Sequence, residues 1–317
     1  MEHSHTITLS DLLHFPRPLT ASASLPFLST PPSPPPHHST HHRIITTLNR
    51  PTVILGTLTL PTHTSPSSHF PCSCFKFSDG SATVCCDILS FRLAAVGKQI
   101  RVTAWNFIPF KNPGTKTGLL EIIKWCFSNP NDESNFADLL PVMPNSSVTS
   151  CNNGGKYFRA VHGVVKSVGP ISIVPCATPA NGSYDLNSSS KVNYLGFLVE
   201  LLCCECRLCG SRDLVNNLKN GSFQIENMNG HSFTKMEILY FCGNASSFHP
   251  VMSKLIGNRV VVLGLKKKLV CLTKDESCLM YLTLDEMVLR GCPRLEKLVP
   301  SLKSEIKGRA SVVVILV

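Results

Sequence analysis

The residues best suited to chemistry form a dense cysteine run, Cys203-Cys204-Glu205-Cys206-Arg207-Leu208-Cys209. Cys206 and Cys209 have two residues between them, the spacing at which two thiolates reach one tetrahedral zinc ion. A structural zinc site needs two further ligands, and the remaining candidates have no diagnostic spacing: His231, Cys242, His249 and Cys271. We predict no metal site and no cofactor and interpret the run as a strand ending in buried and surface thiols, with a zinc site at Cys206 and Cys209 as the alternative.

Motifs for catalysis are absent from the sequence. It contains no G-x-x-x-x-G-K-S/T phosphate loop, no G-x-G-x-x-G dinucleotide motif, no G-x-S-x-G nucleophile elbow and no H-E-x-x-H zinc motif. His162, His231 and His249 lie in different segments and have no nearby pair of carboxylates. We predict no catalytic residue and a protein that is not an enzyme. A small zinc-dependent enzyme is the remaining enzymatic alternative.

Positive charge is concentrated in the second half of the chain. The 317 residues carry a net charge of +10, and residues 151–317, with twenty basic and twelve acidic groups, hold eight of those ten charges. Such a basic region favours a polyanionic partner, although solvated surface lysines are the simpler alternative. We predict that Lys266, Lys267 and Lys268, with Arg259 before them, contact nucleic-acid phosphates. Four aromatic residues are candidates either for base stacking or for the core: Trp105, Phe107, Phe110 and Tyr240.

The cysteine count and the pattern of apolar residues indicate the cellular compartment of the protein. Fifteen cysteines are present, but Pro16, Pro18 and Pro26 interrupt the apolar residues of the first thirty positions, so no secretory signal is expected. The thiols are therefore expected to stay reduced. No apolar run approaches about 18 residues, so no membrane-spanning helix is predicted.

Two β-rich blocks follow the same plan. In the first, strands are predicted at 52–60, 74–77, 81–89 and 99–110, and residues 118–127 fit either a strand or a helix. Gly56 marks a bend in the first strand, and Asp79-Gly80 is a hairpin turn. The second block has a strand with a central Gly163, then strands at 194–204 and 233–242, a helix at 247–256, and closing strands at 259–265 and 268–272. This repeated plan predicts an all-β protein of tandem OB-fold barrels, each a five-stranded Greek key with short helices.

Breaker residues divide the chain into five segments. A disordered Pro/His/Ser-rich segment is predicted at 1–42, a first OB-fold at 43–127, a linker at 128–155, a second OB-fold at 156–290 and a C-terminal tail at 291–317.

Several idiosyncratic motifs carry a family resemblance. They are Leu9-Ser10-Asp11-Leu12-Leu13, the run 75–89, Trp105-Asn106-Phe107-Ile108-Pro109, Gly230-His231-Ser232-Phe233, Ser247-Phe248-His249-Pro250-Val251 and Gly264-Leu265-Lys266-Lys267-Lys268. Over roughly residues 6–290 the chain resembles the plant-type large subunit of the CST telomere-capping complex. Members of that family are far longer, so we expect this chain to be a truncated isoform or the front of a longer protein.

The resemblance implies a nuclear protein at chromosome telomeres. It implies a heterotrimer with two smaller OB-fold subunits, binding to single-stranded G-rich telomeric DNA, and recruitment of DNA polymerase α–primase, with no membrane partner. The alternative is a general single-stranded nucleic-acid-binding OB module of DNA replication or repair.

Overall fold

A computed structural model of the chain divides into two units. The first comprises residues 1–61 and 74–137, and the second residues 62–73 and 138–317. The structure describes residues 5–22, 45–48, 50–62, 72–112, 115–130, 159–177, 191–206, 209, 231–271, 277–283, 287–291 and 312–316.

The first unit is built almost entirely from strands. They are β1 (His5–Thr6), β2 (Leu19–Ser22), β3 (Thr46–Thr47), β4 (Thr52–Thr59), β5 (Phe75–Ser78), β6 (Thr83–Ile88), β7 (Gln99–Asn112) and β8 (Thr115–Phe127). A short helix, α1 (Leu9–Leu12), lies between β1 and β2, and a 3₁₀ helix (Leu93–Ala95) precedes β7. The segment around residues 118–127 is thus a strand rather than a helix.

Five of these strands close into a barrel. The order is β4-β5-β6-β8-β7, and β4 also pairs with β7, which returns the sheet to its starting strand. All of these pairings are antiparallel except β6 with β8, which is parallel. This is a five-stranded Greek-key barrel of the OB type, and it confirms the predicted all-β fold class.

Gly56 lies where β4 changes partners. On one side β4 pairs with β7 from Ile54 to Thr57, and on the other it pairs with β5 from Thr57 to Thr59. A Cβ atom at position 56 would lie 2.6 Å from ring atoms of Phe77 and from the Ser78 carbonyl oxygen. The close approach of neighbouring groups explains the glycine in this strand.

The N-terminal segment is ordered where the structure describes it, contrary to the disorder predicted for residues 1–42. Over residues 5–22, β1 pairs with β4, β2 pairs with β7, and four apolar side chains of the segment are buried: Leu9, Leu12, Leu19 and Ala21. We call residues 5–22 the N-terminal strap. Its order comes from this burial, which composition alone did not indicate. The Pro/His-rich remainder of 1–42, from residue 23, lies outside the described residues.

The second unit repeats the barrel. Its strands are β9 (Arg159–Val168), β10 (Ser172–Ala177), β11 (Lys191–Cys204), β12 (Phe233–Cys242), β13 (Arg259–Cys271), β14 (Ser277–Thr283), β15 (Met287–Gly291) and β16 (Val312–Leu316). A 3₁₀ helix (Gly243–Phe248) and α2 (His249–Lys254) connect β12 to β13. The closed order is β9-β11-β12-β14-β13, with β13 pairing back to β9, and again only the β12–β14 pairing is parallel.

The closing strands of this unit differ from the prediction in two respects. The predicted strands at 259–265 and 268–272 are one continuous strand, β13, with a register irregularity between Val262 and Leu265. In addition, the segment 291–317 predicted as a tail contains β16, which pairs with β13 and β15. Its Val-Val-Val-Ile-Leu composition strongly favours a strand.

Among the described residues, no helix is both long and apolar enough to cross a membrane.

Candidate functional site

Four side chains of types that bind metals lie together where β11 ends and β12 begins. Cys204, Cys206, Cys209 and His231 each place one ligand atom within 4.8 Å of the ligand atoms of the other three. We call these four residues the Cys₃His cluster. It joins the two thiols singled out in the sequence, Cys206 and Cys209, to two residues that their spacing did not identify as partners.

The strand register explains how distant residues meet here. Cys204 ends β11 and pairs with Phe233 at the start of β12, after an irregularity at Cys203/Cys204. His231 precedes Phe233 by two residues, so it lies beside Cys204 although 26 residues separate them in sequence. Cys209 donates its backbone N–H to the Cys206 carbonyl oxygen at 3.0 Å, which turns the chain back toward the cluster.

The distances within the cluster are uniform. Nδ1 of His231 lies 3.4 Å from the Sγ atom of each of the three cysteines. Cys204 and Cys209 are buried, whereas Cys206 and His231 are half-buried. The arrangement is a triangle of sulfur atoms with one imidazole nitrogen above it.

The surroundings of the cluster disfavour an uncompensated negative charge. Burial raises the pKa of the Cys209 thiol well above its ordinary value, and the neighbouring Cys206 and Cys204 raise it further. In the absence of a cation, Cys209 is therefore a neutral thiol. A cation bound among the three sulfurs would reverse this balance by stabilising thiolates.

His162 packs against the cluster from β9. It is 2% exposed, and its Nδ1 lies 3.2 Å from the Cys209 Sγ. Burial, followed by electrostatic interaction with His231 and Arg259, lowers the pKa of His162 to about 4. His162 is consequently a neutral imidazole at pH 7 and can donate one N–H to sulfur.

The structure separates the four predicted phosphate-binding residues. Lys266, Lys267 and Lys268 occupy consecutive positions within β13, opposite residues 282, 281 and 280 of β14, whereas the sequence placed the first two between strands. Arg259 begins the same strand seven positions earlier, which is roughly 23 Å at 3.3 Å per residue. Its guanidinium carbon lies 5.3 Å from the ring centroid of Phe233, beside the Cys₃His cluster. Arg259 therefore belongs to the surroundings of the cluster rather than to the lysine tract.

Three of the four candidate stacking aromatics belong to the barrel cores. Trp105 and Phe107 are fully buried and Tyr240 is 1% exposed, so none of them presents a face to a base. Phe110 differs, because 44% of its surface is exposed near the end of β7. Among these four candidates, only Phe110 is available for stacking.

Two closed five-stranded barrels, each with the same strand order and a short helical connection before the fourth strand, define a tandem OB-fold protein. Comparison with family models narrows this class. The plant model described as "CST, telomere maintenance, complex subunit CTC1 N-terminal domain" matches residues 6–128, and the plant model of the CTC1 second domain matches residues 158–289. The chain belongs to the plant CTC1 family.

A curated relative agrees with these models. The CST complex subunit CTC1 of Arabidopsis thaliana is 39% identical over 254 residues, which is 78% of this chain. The aligned part covers 18% of the length of that relative.

Proposed function

We propose that this chain acts in telomere maintenance as part of a CST complex in the nucleus. The single observation that carries the proposal is that its two barrels match two different domains of the same CST subunit, in the same order along the chain. The proposal extends to contacts with single-stranded G-rich telomeric DNA, to the two smaller OB-fold subunits as partners, and to recruitment of DNA polymerase α–primase.

The composition of β13 supports contact with a nucleic acid. Lys266, Lys267 and Lys268 place three positive charges at successive positions of a barrel strand. OB barrels bind single strands by combining basic grooves with aromatic stacking, and the exposed Phe110 of the first barrel offers such a face.

DNA binding is tested by fluorescence anisotropy on the 317-residue chain, using a labelled G-rich telomeric strand and a scrambled strand of equal composition. We expect tighter binding to the telomeric strand and an affinity that falls with salt. Replacing all three lysines by Glu should lower the slope of log affinity against log salt by about 0.7–1.4, since successive strand positions face opposite sides of a sheet and each phosphate contact on a single strand contributes about 0.7. The Lys→Arg triple variant keeps the charges and is the matched control.

The outcomes separate the two classes of function. Equal, salt-dependent affinity for both strands would favour the alternative, a general single-stranded nucleic-acid module of replication or repair. If the Lys→Glu variant keeps the salt slope of the parent chain, the three lysines do not contact the DNA.

Partner binding requires a separate experiment. Tagged chain is co-expressed with the two smaller CST subunits, and the recovered proteins are probed for these subunits and for polymerase α–primase. In cells, chromatin precipitated with the tagged chain should be enriched in telomeric repeats over a centromeric repeat. Absence of both partner recovery and telomeric enrichment would contradict the proposal.

A further inference from the structure

We propose that Cys204, Cys206, Cys209 and His231 bind one structural zinc ion at the foot of the β11–β12 hairpin. This inference does not rest on the proposed function, because it concerns how the second barrel is stabilised.

The distances fit a tetrahedral metal site. With Zn–S about 2.3 Å and Zn–N about 2.0 Å, tetrahedral angles place ligand sulfur and nitrogen about 3.5 Å apart, and two ligand sulfurs about 3.8 Å apart. The three S···N distances are each 3.4 Å, and every pair of ligand atoms lies within 4.8 Å. Cys204, Cys206, Cys209 and His231 are therefore already arranged as the corners of such a polyhedron.

Hydrogen bonding alone does not explain this arrangement. Nδ1 of an imidazole carries either one hydrogen or one lone pair, directed in the plane of the ring. It can form one good hydrogen bond, yet here it is equally distant from three sulfur atoms. A shared ion at the centre accounts for all three distances at once.

The donor set selects the metal and its role. Three thiolates and one imidazole in a tetrahedral array are typical of Zn²⁺, whereas hard cations such as Ca²⁺ and Mg²⁺ require oxygen ligands. Four protein ligands leave no position for water or substrate, which is the mark of a structural rather than a catalytic zinc site. Binding releases the thiol protons as the thiolates form.

The residues around the cluster complete the environment that such a site needs. His162 is placed to donate its Nδ1–H to Cys209 Sγ, the kind of outer contact that orients a metal ligand. One Zn²⁺ with three thiolates carries a net charge of −1. The Arg259 guanidinium lies over the Phe233 ring, close enough to lower the pKa of His162, and places a positive charge beside the site. The ion would tie the end of β11 to the start of β12 across the 21 residues that separate Cys209 from His231.

The first experiment uses the unaltered chain, so it does not depend on how a variant folds. Protein produced with zinc in the medium is analysed by elemental mass spectrometry and by X-ray absorption at the zinc edge. We expect bound zinc with three sulfur neighbours at about 2.3 Å and one nitrogen at about 2.0 Å, with the outer-shell scattering of an imidazole. A chain without zinc, or zinc without the imidazole signature, would overturn the proposal.

Variants then assign the ligands. His231→Ala and Cys206→Ser should each lose one equivalent of zinc relative to the parent chain. His231→Cys restores a fourth ligand and should recover at least part of the zinc. Cys126→Ser removes an exposed thiol far from the cluster in sequence and is the matched control, with unchanged zinc content. Full retention of zinc by both His231→Ala and Cys206→Ser would refute the assignment.

Discussion

The carboxylate of Asp79 holds the backbone of Leu9, its Oδ2 accepting the Leu9 N–H at 2.7 Å across seventy residues of sequence. The other oxygen of Asp79, Oδ1, accepts the backbone N–H groups of Ser81 and Ala82 and the Ser81 hydroxyl. One side chain therefore both shapes the β5–β6 turn and fixes the start of α1 in the N-terminal strap.

Loss of this carboxylate should destabilise the first unit. Asp79→Ala leaves the N–H groups of the buried Leu9 and the half-buried Ala82 without their acceptor, and we expect about 2 kcal/mol less free energy of unfolding in urea. Asp79→Asn keeps an acceptor oxygen and is the matched comparison, with a smaller loss. Equal stability of Asp79→Ala and the parent chain would show that the strap is held by apolar burial alone.

The same carboxylate should make stability depend on pH. Burial acts to raise the pKa of Asp79, but hydrogen bonds from the Leu9 backbone and from Ser81 outweigh it and hold the pKa below its usual 3.8. The unfolded chain therefore takes up this proton first as the pH falls, so the stabilisation is fully present above about pH 4 and is lost as pH drops through the folded pKa. Urea unfolding of the parent chain and Asp79→Asn from pH 7 to pH 3 should show their difference shrinking only at the acid end. A difference that stays constant to pH 3 would contradict this.

Glycines of β9 and its following turn should differ sharply in their tolerance of a methyl group. A Cβ at Gly163 would lie 2.9 Å from the Leu202 carbonyl oxygen, whereas at Gly169 the nearest atoms are at 3.7 Å. We expect Gly163→Ala to cost about 1–3 kcal/mol of unfolding free energy and Gly169→Ala to be nearly neutral. Thermal unfolding of the two variants tests this, and similar melting temperatures would argue against a close approach at Gly163.

If the proposed DNA contacts hold, Phe110 is the aromatic to test. Base stacking on one aromatic contributes about 1–3 kcal/mol, so Phe110→Ala should weaken binding to the telomeric strand about tenfold with little change in stability. Phe15, which is 37% exposed on the N-terminal strap, provides the control variant Phe15→Ala. Equal affinities of Phe110→Ala and Phe15→Ala for the telomeric strand would show that Phe110 does not contact the DNA.

His162 should raise the zinc affinity of the proposed site without being a zinc ligand itself. Removing its contact with Cys209 in His162→Ala is expected to weaken zinc affinity about 10–100-fold, measured by competition with a chromophoric chelator. Ser167→Ala also removes a hydrogen bond made from β9, to Glu200, but far along the strand from the cluster, and should leave zinc affinity unchanged. A similar loss in both variants would indicate a general weakening of the barrel.

The barrels could be predicted from sequence because their signals are local. Most of the strands contain or adjoin the residues that predict them. These signals are Gly56, the Asp79-Gly80 turn and runs of β-branched residues. The N-terminal strap lacks such a signal, since β1 and β2 have only two and four residues and are ordered by partners in β4 and β7. The predicted gap between residues 265 and 268 is likewise absent, because pairing with β14 continues β13 through these positions.

The Cys₃His cluster shows where sequence spacing stops being informative. Cys206 and Cys209 were recognisable because two residues separate them, whereas His231 becomes a neighbour only through the β11–β12 register. Once Cys204 and Phe233 are paired, His231 lies beside the thiols. Aligning the two ends of a predicted hairpin would have found it.

The N-terminal strap also has a consequence for the kinetics of folding. Leu19 pairs with Phe107, eighty-eight positions later, and His5 pairs with Thr52. Contacts of such long sequence separation slow folding, because the entropy of closing the loop is lost before the contact forms. On the ribosome, β2 of the strap emerges early and can pair with β3, but its pairing with β7 must wait until that strand has been synthesised. The pairing of the strap with β7 thus forms later than the local contacts of the first barrel.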